Sequence, residues 1–187
     1  MDLSHIEFVH RGSFAGNGVI FAGQHSVREE GDVIRSDWWM PDVPAPSHTR
    51  GIYPPEMRCD HWLDMRWNAP ASMLLQVGST PTGRPRAEGI AVDQAHILTP
   101  ASADTTHYFW ASARRYELAS AEMDARLRNL FQQAFDDEDK PVIQAAYANL
   151  EGQDFQDAKP ISLGIDAGGL RVRRRLQSLL AREQESA

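Results

Sequence analysis

Two histidines near the start and a late run of acids are the residues of this sequence best suited to chemistry. His5 and His10 fall within Asp2-Leu3-Ser4-His5-Ile6-Glu7-Phe8-Val9-His10. On a regular α-helix, residues five apart point about 140° away from each other. The two rings could share an ion only if the helix loosens or ends between them, or if a π-type bulge brings i and i+5 onto one face. The spacing is not that of the His-Glu-x-x-His zinc proteases, which needs no distortion. The alternative is structural: His10 caps the helix end and His5 hydrogen-bonds within the core. Spacing alone leaves both open.

The acids are Asp136-Asp137-Glu138-Asp139-Lys140. They read as a solvated acidic loop, with Asp139 capping a helix that starts near Pro141. They also read as a mismatch, because acids at the end of a helix oppose its dipole and call for a cation, a metal or an arginine, nearby. Two imidazoles and one carboxylate from distant segments make a facial set that leaves positions of an octahedral Fe(II) open. With 7 histidines and 26 acidic residues, many other pairings are available.

The elements that must position these groups follow from composition and periodicity. A chain of 187 residues with 42% hydrophobic content suits one domain, 1–187, with a substantial core. The net charge of −7 argues against nucleic-acid binding. Arg171, Arg173, Arg174 and Arg175 read as a solvated helix face. One cysteine, Cys59, excludes an internal disulfide or a cysteine-rich metal cluster. No apolar run reaches the ~20 residues of a membrane span, and no secretory signal opens the chain. The expectation is a cytoplasmic protein without a membrane partner.

Helix-compatible residues run from Asp2 to Val9, before a loop with Gly12, Gly16 and Gly18. Strand patterns follow at 19–22, 32–40, 61–67, 73–77, 89–98 and 105–113, with a proline-rich excursion, a possible lid, between Pro41 and Pro55. Ser120 is an N-cap candidate for a helix carrying Met123, Leu127, Leu130, Phe131 and Phe135. Pro141 interrupts it, a helix resumes over 142–150, and a last helix spans 166–183. Strands followed by helices predict an α+β fold, an antiparallel sheet wrapped on long helices.

The first segment resembles the Asp-x-x-His-x-x-x-x-His motif of Rieske non-haem iron oxygenases, and more closely their vanillate and dicamba O-demethylase branch. The resemblance continues through Asp64-Met65-Arg66-Trp67-Asn68, His96-Ile97-Leu98-Thr99-Pro100, His107-Tyr108-Phe109-Trp110, Glu138-Asp139-Lys140, Ile165-Asp166-Ala167 and Val172-Arg173. It covers essentially the whole chain and implies a helix-grip, START-like catalytic domain. It implies His5, His10 and Asp139 as ligands of a mononuclear Fe(II). Asp2 would hydrogen-bond the second nitrogen of His5 or of a nearby ligand and link the iron site to a neighbouring subunit's cluster. His96 would hold an aromatic acid's carboxylate or phenol, with a satisfied sheet histidine as the alternative. His107 reads as structural. Phe109, Trp110, Leu130 and Phe131 are candidates for pocket walls or plain core.

The activity implied is O-demethylation of a methoxylated aromatic acid of the vanillate kind. Dioxygen is the oxidant, with two electrons from NAD(P)H arriving through a reductase and a Rieske [2Fe–2S] cluster. The methoxy carbon is hydroxylated and the hemiacetal collapses to a phenol and formaldehyde. The Rieske domain, with its Cys-x-His and Cys-x-x-His motifs, is absent from these residues. The chain is therefore expected to be a catalytic fragment, a mis-assigned start or a separate catalytic protein, idle without a cluster-bearing partner. A homotrimer is the assembly the resemblance implies. The rival reading is a non-catalytic helix-grip module that binds an aromatic or hydrophobic small molecule.

Overall fold

The computed structural model describes residues 3, 5–11, 13–14, 18–155 and 157–186. Six antiparallel strands pair in sequence order: β1 (Gln24–Glu30), β2 (Val33–Pro44), β3 (Arg58–Asn68), β4 (Ser72–Pro81), β5 (Ile90–Pro100) and β6 (Thr106–Arg114). Period-two patterning puts one row of side chains from each strand on a common face. Met40, His61 and Ser79 stand opposite one another across β2, β3 and β4, and so do Trp38, Leu63 and Val77. At the other end of the sheet, Met73, His96 and Trp110 align across β4, β5 and β6.

The main core holds Leu3, Ile20, Trp38, Met40, Leu63, Met65 and Leu75. A second cluster joins Val92 of β5 to Leu127 and Phe131 of α2 (Ala121–Gln132), which fixes this helix against the sheet. Ser120 caps α2 as its sequence predicts, its hydroxyl accepting from the Met123 amide at 3.1 Å. The antiparallel sheet with helices laid on it is the α+β architecture expected.

Several local expectations are corrected. The helix bearing Phe131 does not stop at the acids. It passes into a π-helix, Gln133–Asp139, and then into α3 (Lys140–Ala148). Pro141 stands in the first turn of α3, where its missing N–H is least needed. The acids therefore do not face a helix C-terminus, and the dipole mismatch inferred for them disappears. Asp139 makes no capping bond to α3.

Residues 20–22 form a 3₁₀ turn, not a strand, with Ile20 in the core. β1 carries a single aliphatic residue, Val27, and so shows no alternation to read. Its pairing with β2 across Gly31, at φ +61°, creates it. The excursion after Pro41 begins as strand: β2 continues through an irregularity between Met40 and Val43 to Pro44, and irregular chain with a 3₁₀ turn at Ser47–Thr49 follows.

The final helix, α4, spans Ala167–Ser186. Two of its arginines are tied down, not simply solvated. Arg171 donates to the Val27 carbonyl at 3.1 Å, and Arg175 pairs with Asp32. Among the described residues no helix is long and apolar enough to cross a membrane.

Candidate metal centre and active-site cavity

His5 and His10 flank a single helical turn, α1 (Ile6–Val9). The helix ends at His10, whose φ of −92° and ψ of 34° are no longer helical, so no bulge is needed there. The two Nε2 atoms lie 3.2 Å apart. Asp139 Oδ1 lies 3.6 Å from His5 Nε2 and 3.4 Å from His10 Nε2. Neighbouring ligands on one octahedral ion, each ~2.1 Å from it, sit about 3 Å apart. The triangle is slightly wider than that, and its two imidazole nitrogens and one carboxylate oxygen fit Fe(II). Among the described residues this is the one group of three such donors close enough to share an ion. Asp2 and the bond expected from it lie outside the described residues.

The π-helix presents Asp139. Its wider turns shift side-chain directions, a device that recurs at functional sites. It also brings two consecutive carboxylates to opposite edges of one ring, because Glu138 Oε2 accepts from His10 Nδ1 at 2.8 Å while Asp139 faces Nε2. With Nδ1–H donated to Glu138, the His10 Nε2 lone pair is left for a metal. Ser13 Oγ at 2.5 Å and Gln133 Nε2 at 3.1 Å hold Glu138 in turn. Glu7, between the histidines and nearly buried, accepts from the Gly18 and Ile20 amides, each at 2.7 Å. Sequence reasoning missed Glu7, Ser13 and the separate role of Glu138. Only the adjacency of Glu138 to Asp139 could have hinted at the last.

The three donors open onto a cavity of about 1640 Å³ between the sheet and α2. Trp110, Leu130 and Phe131 line it as expected, whereas Phe109 does not and is 56% exposed. His107, taken as structural, also reaches the lining and is exposed. His96 is buried on the cavity floor with its ring edge against Phe135. Its Nδ1 meets the Tyr108 hydroxyl at 2.5 Å, while Nε2 is buried without a partner. Burial lowers the His96 pKa to about 4. Tyr108 moves upward, through burial first and the Asp139 charge second, and so keeps its proton. When Tyr108 donates to Nδ1, His96 carries its proton on the unpartnered Nε2.

Asp139 itself is shifted up by burial, against the pull of His10 and His5. At the far end of the floor, the Ser79 hydroxyl lies 3.2 Å from His48 Nε2 and 3.1 Å from His61 Nδ1, and His61 Nδ1 donates to the Gly78 carbonyl at 2.8 Å. Burial brings His61 down to about 4 and His48 well below its usual range. This pair straps the irregular segment after β2 onto the sheet.

A sheet gripping a long helix, with two imidazoles and a carboxylate at the edge of a largely apolar cavity, defines a helix-grip domain of the α+β class. The chain belongs to the family of vanillate O-demethylase oxygenase C-terminal domains, whose profile matches residues 1–182.

It is 33% identical over 185 residues to the oxygenase component of chloroacetanilide N-alkylformylase from Rhizorhabdus wittichii (strain DC-6 / KACC 16600), covering 98% of this chain and 53% of that protein. It is 30% identical over 182 residues to the dicamba O-demethylase oxygenase component of Stenotrophomonas maltophilia, covering 96% and 53%. The crystal structure of dicamba monooxygenase bound to dicamba superposes with a TM-score of 0.85 at 30% identity, over 98% of this chain and 53% of that one. The chain thus spans about half the length of the curated relatives it matches.

Proposed function

We propose that this chain is the mononuclear-iron catalytic domain of a Rieske-type oxygenase that O-demethylates a methoxylated aromatic compound, an aromatic acid of the vanillate kind being the leading candidate. The observation that carries the reading is the convergence of His5 Nε2, His10 Nε2 and Asp139 Oδ1 within 3.2 to 3.6 Å of one another at a cavity wall. Fe(II) held there would supply the dioxygen chemistry. The chain's own residues bind, orient and exclude water. The aromatic walls Trp110, Phe131 and Phe135 enclose a ring, and the His96 Nε2 donor takes the substrate's carboxylate. Glu138 fixes the His10 tautomer.

A Rieske cluster needs two cysteines and two histidines, and the chain has one cysteine. The [2Fe–2S] relay, with a reductase using NAD(P)H, therefore belongs to a domain or partner outside these residues. Assembly as a homotrimer, in which Asp2 links the iron to a neighbour's cluster, is part of the same proposal.

The test is metal analysis. The wild-type chain should hold about one Fe(II), and His5→Ala or Asp139→Ala should lose it. A protein that stays iron-free under anaerobic loading yet binds aromatics would instead be the non-catalytic module. Reductase and NADH alone should give negligible turnover, and robust turnover under those conditions would overturn the partner requirement.

A further inference from the structure

The cavity floor carries a polar side chain, Gln94, that the metal cluster, the His96–Tyr108 pair and the His48–Ser79–His61 network all leave unused. Gln94 is 7% exposed and lines the cavity. It lies on β5 two residues before His96 and faces the same way, with Leu75 opposite it on β4. Ser112 stands opposite it on β6, and the floor on its other side is apolar, with Val77 and Val92 beyond. Among the described residues nothing hydrogen-bonds its amide, and its polar atoms are not sealed into the protein. Water in the open cavity meets the amide, but once a ligand excludes that water an amide left without a partner is costly in an apolar floor. Leucine or methionine would fill the same space without that cost. The amide therefore has a use inside the cavity.

The strand repeat sets its reach. Residues i and i+2 on one face of a strand are about 6.7 Å apart. That is roughly the separation between polar substituents at opposite ends of a benzene ring. The charges around Gln94 set the chemistry. The cationic side chains of the lining, Arg50 and Lys140, are both exposed, and the buried Arg114 guanidinium, opposite Val92 on β6, is already paired with Asp124, so no free buried cation offsets an anion at Gln94. A neutral amide in a dry setting favours a neutral hydrogen-bonding group over a second carboxylate.

We infer that Gln94 is a specificity-determining residue that holds an uncharged hydrogen-bonding substituent, a carboxamide or equivalent carbonyl, para to the group held by His96. This rests on the reading of the cavity as the substrate site and narrows it. The substrate is an aromatic ring with two polar anchors besides the methoxy group. His96 takes one and Gln94 the other, and they fix the ring's orientation toward the histidine–aspartate cluster.

The test is calorimetric titration of the full chain with benzoate, 4-carbamoylbenzoate and terephthalate. It reads binding rather than turnover, so it does not depend on iron or on an electron donor. In the wild type, 4-carbamoylbenzoate should bind about tenfold more tightly than benzoate, and terephthalate should bind more weakly than either. Gln94→Met keeps length and removes the amide. It should bind benzoate as before and lose the tenfold advantage of the carbamoyl group. The wild-type comparison stands even if that variant is unstable. Equal binding of benzoate and 4-carbamoylbenzoate, tighter binding of terephthalate, an advantage that survives Gln94→Met, or no binding of any of the three would each overturn the inference. Iron content in His5→Ala is read separately, so failure of the oxygenase reading and failure of this one are distinguishable.

Discussion

Lowering the pH from 7.5 to 5.0 should destabilise the metal-free chain by several kcal/mol through three buried histidines. In the folded protein, burial holds His61 and His96 near pKa 4 and pushes His48 well below its usual range. Unfolded histidine titrates near 6.5. Between those values the unfolded chain binds protons that the folded chain refuses, so stability is unaffected above about pH 6.5 and is lost as pH falls toward 4. At pH 5.0 His61 and His96 each contribute about 1.5 pH units, or about 2 kcal/mol, and His48 adds in the same direction. The sum of about 4 kcal/mol from the first two is a large part of the whole stability of many domains. Asp139 works in the opposite direction, since burial raises its pKa and the folded state takes its proton first.

Urea unfolding followed by tryptophan fluorescence is the assay. At about 2 kcal/mol per molar, the midpoint should fall by about 2 M or more between pH 7.5 and 5.0. His61→Gln, able to keep the bond to the Gly78 carbonyl, should remove about 1 M of that shift. A midpoint that moves by less than about 0.5 M would refute the reasoning.

Two further outcomes follow from geometry already described. Glu138→Gln removes the charged acceptor at His10 Nδ1, and Fe(II) affinity should fall about 10- to 100-fold. An unchanged affinity in equilibrium titration would strip Glu138 of that role. Gly78→Ala would place a Cβ 2.1 Å from Trp62 Cζ2, and Trp62 is already boxed in by Trp39 and Arg86. The cost should be about 3 kcal/mol, seen as a melting temperature lowered by roughly 10 °C. A wild-type melting curve would show that the indole can move aside.

Much of this was legible in the sequence, for reasons that differ by element. β3 was readable because Leu63, Met65 and Trp67 alternate with Asp64, Arg66 and Asn68 along one strand. β1 was not, because its outer-edge position needs little apolar content and its partner supplies the order. The donors His5, His10 and Asp139 came from a motif; their spacing argued for them only weakly, because whether a helix ends or continues at His10 is decided by tertiary contacts. The bond from Glu7 to the Gly18 and Ile20 amides is one such contact. The acidic run misled because an α-helix, a π-helix and a loop are all compatible with Asp136-Asp137-Glu138-Asp139. Gln94 is plain in the structure and silent in the sequence, where a lone glutamine in a strand has no pattern to break.

The π-helix constrains how this segment can change over generations. A widened turn amounts to one residue inserted into an otherwise ordinary helix. Removing a position between Gln133 and Asp139 would let regular winding return and leave α3 facing much as before, because the extra residue is absorbed inside the widened turn. Within the turn the side chains would be re-aimed, and Asp139 would lose its present angle to the histidines. Point replacements at exposed positions such as Asp136 leave that count untouched. The exposed positions of the stretch should therefore drift in composition while its length stays fixed.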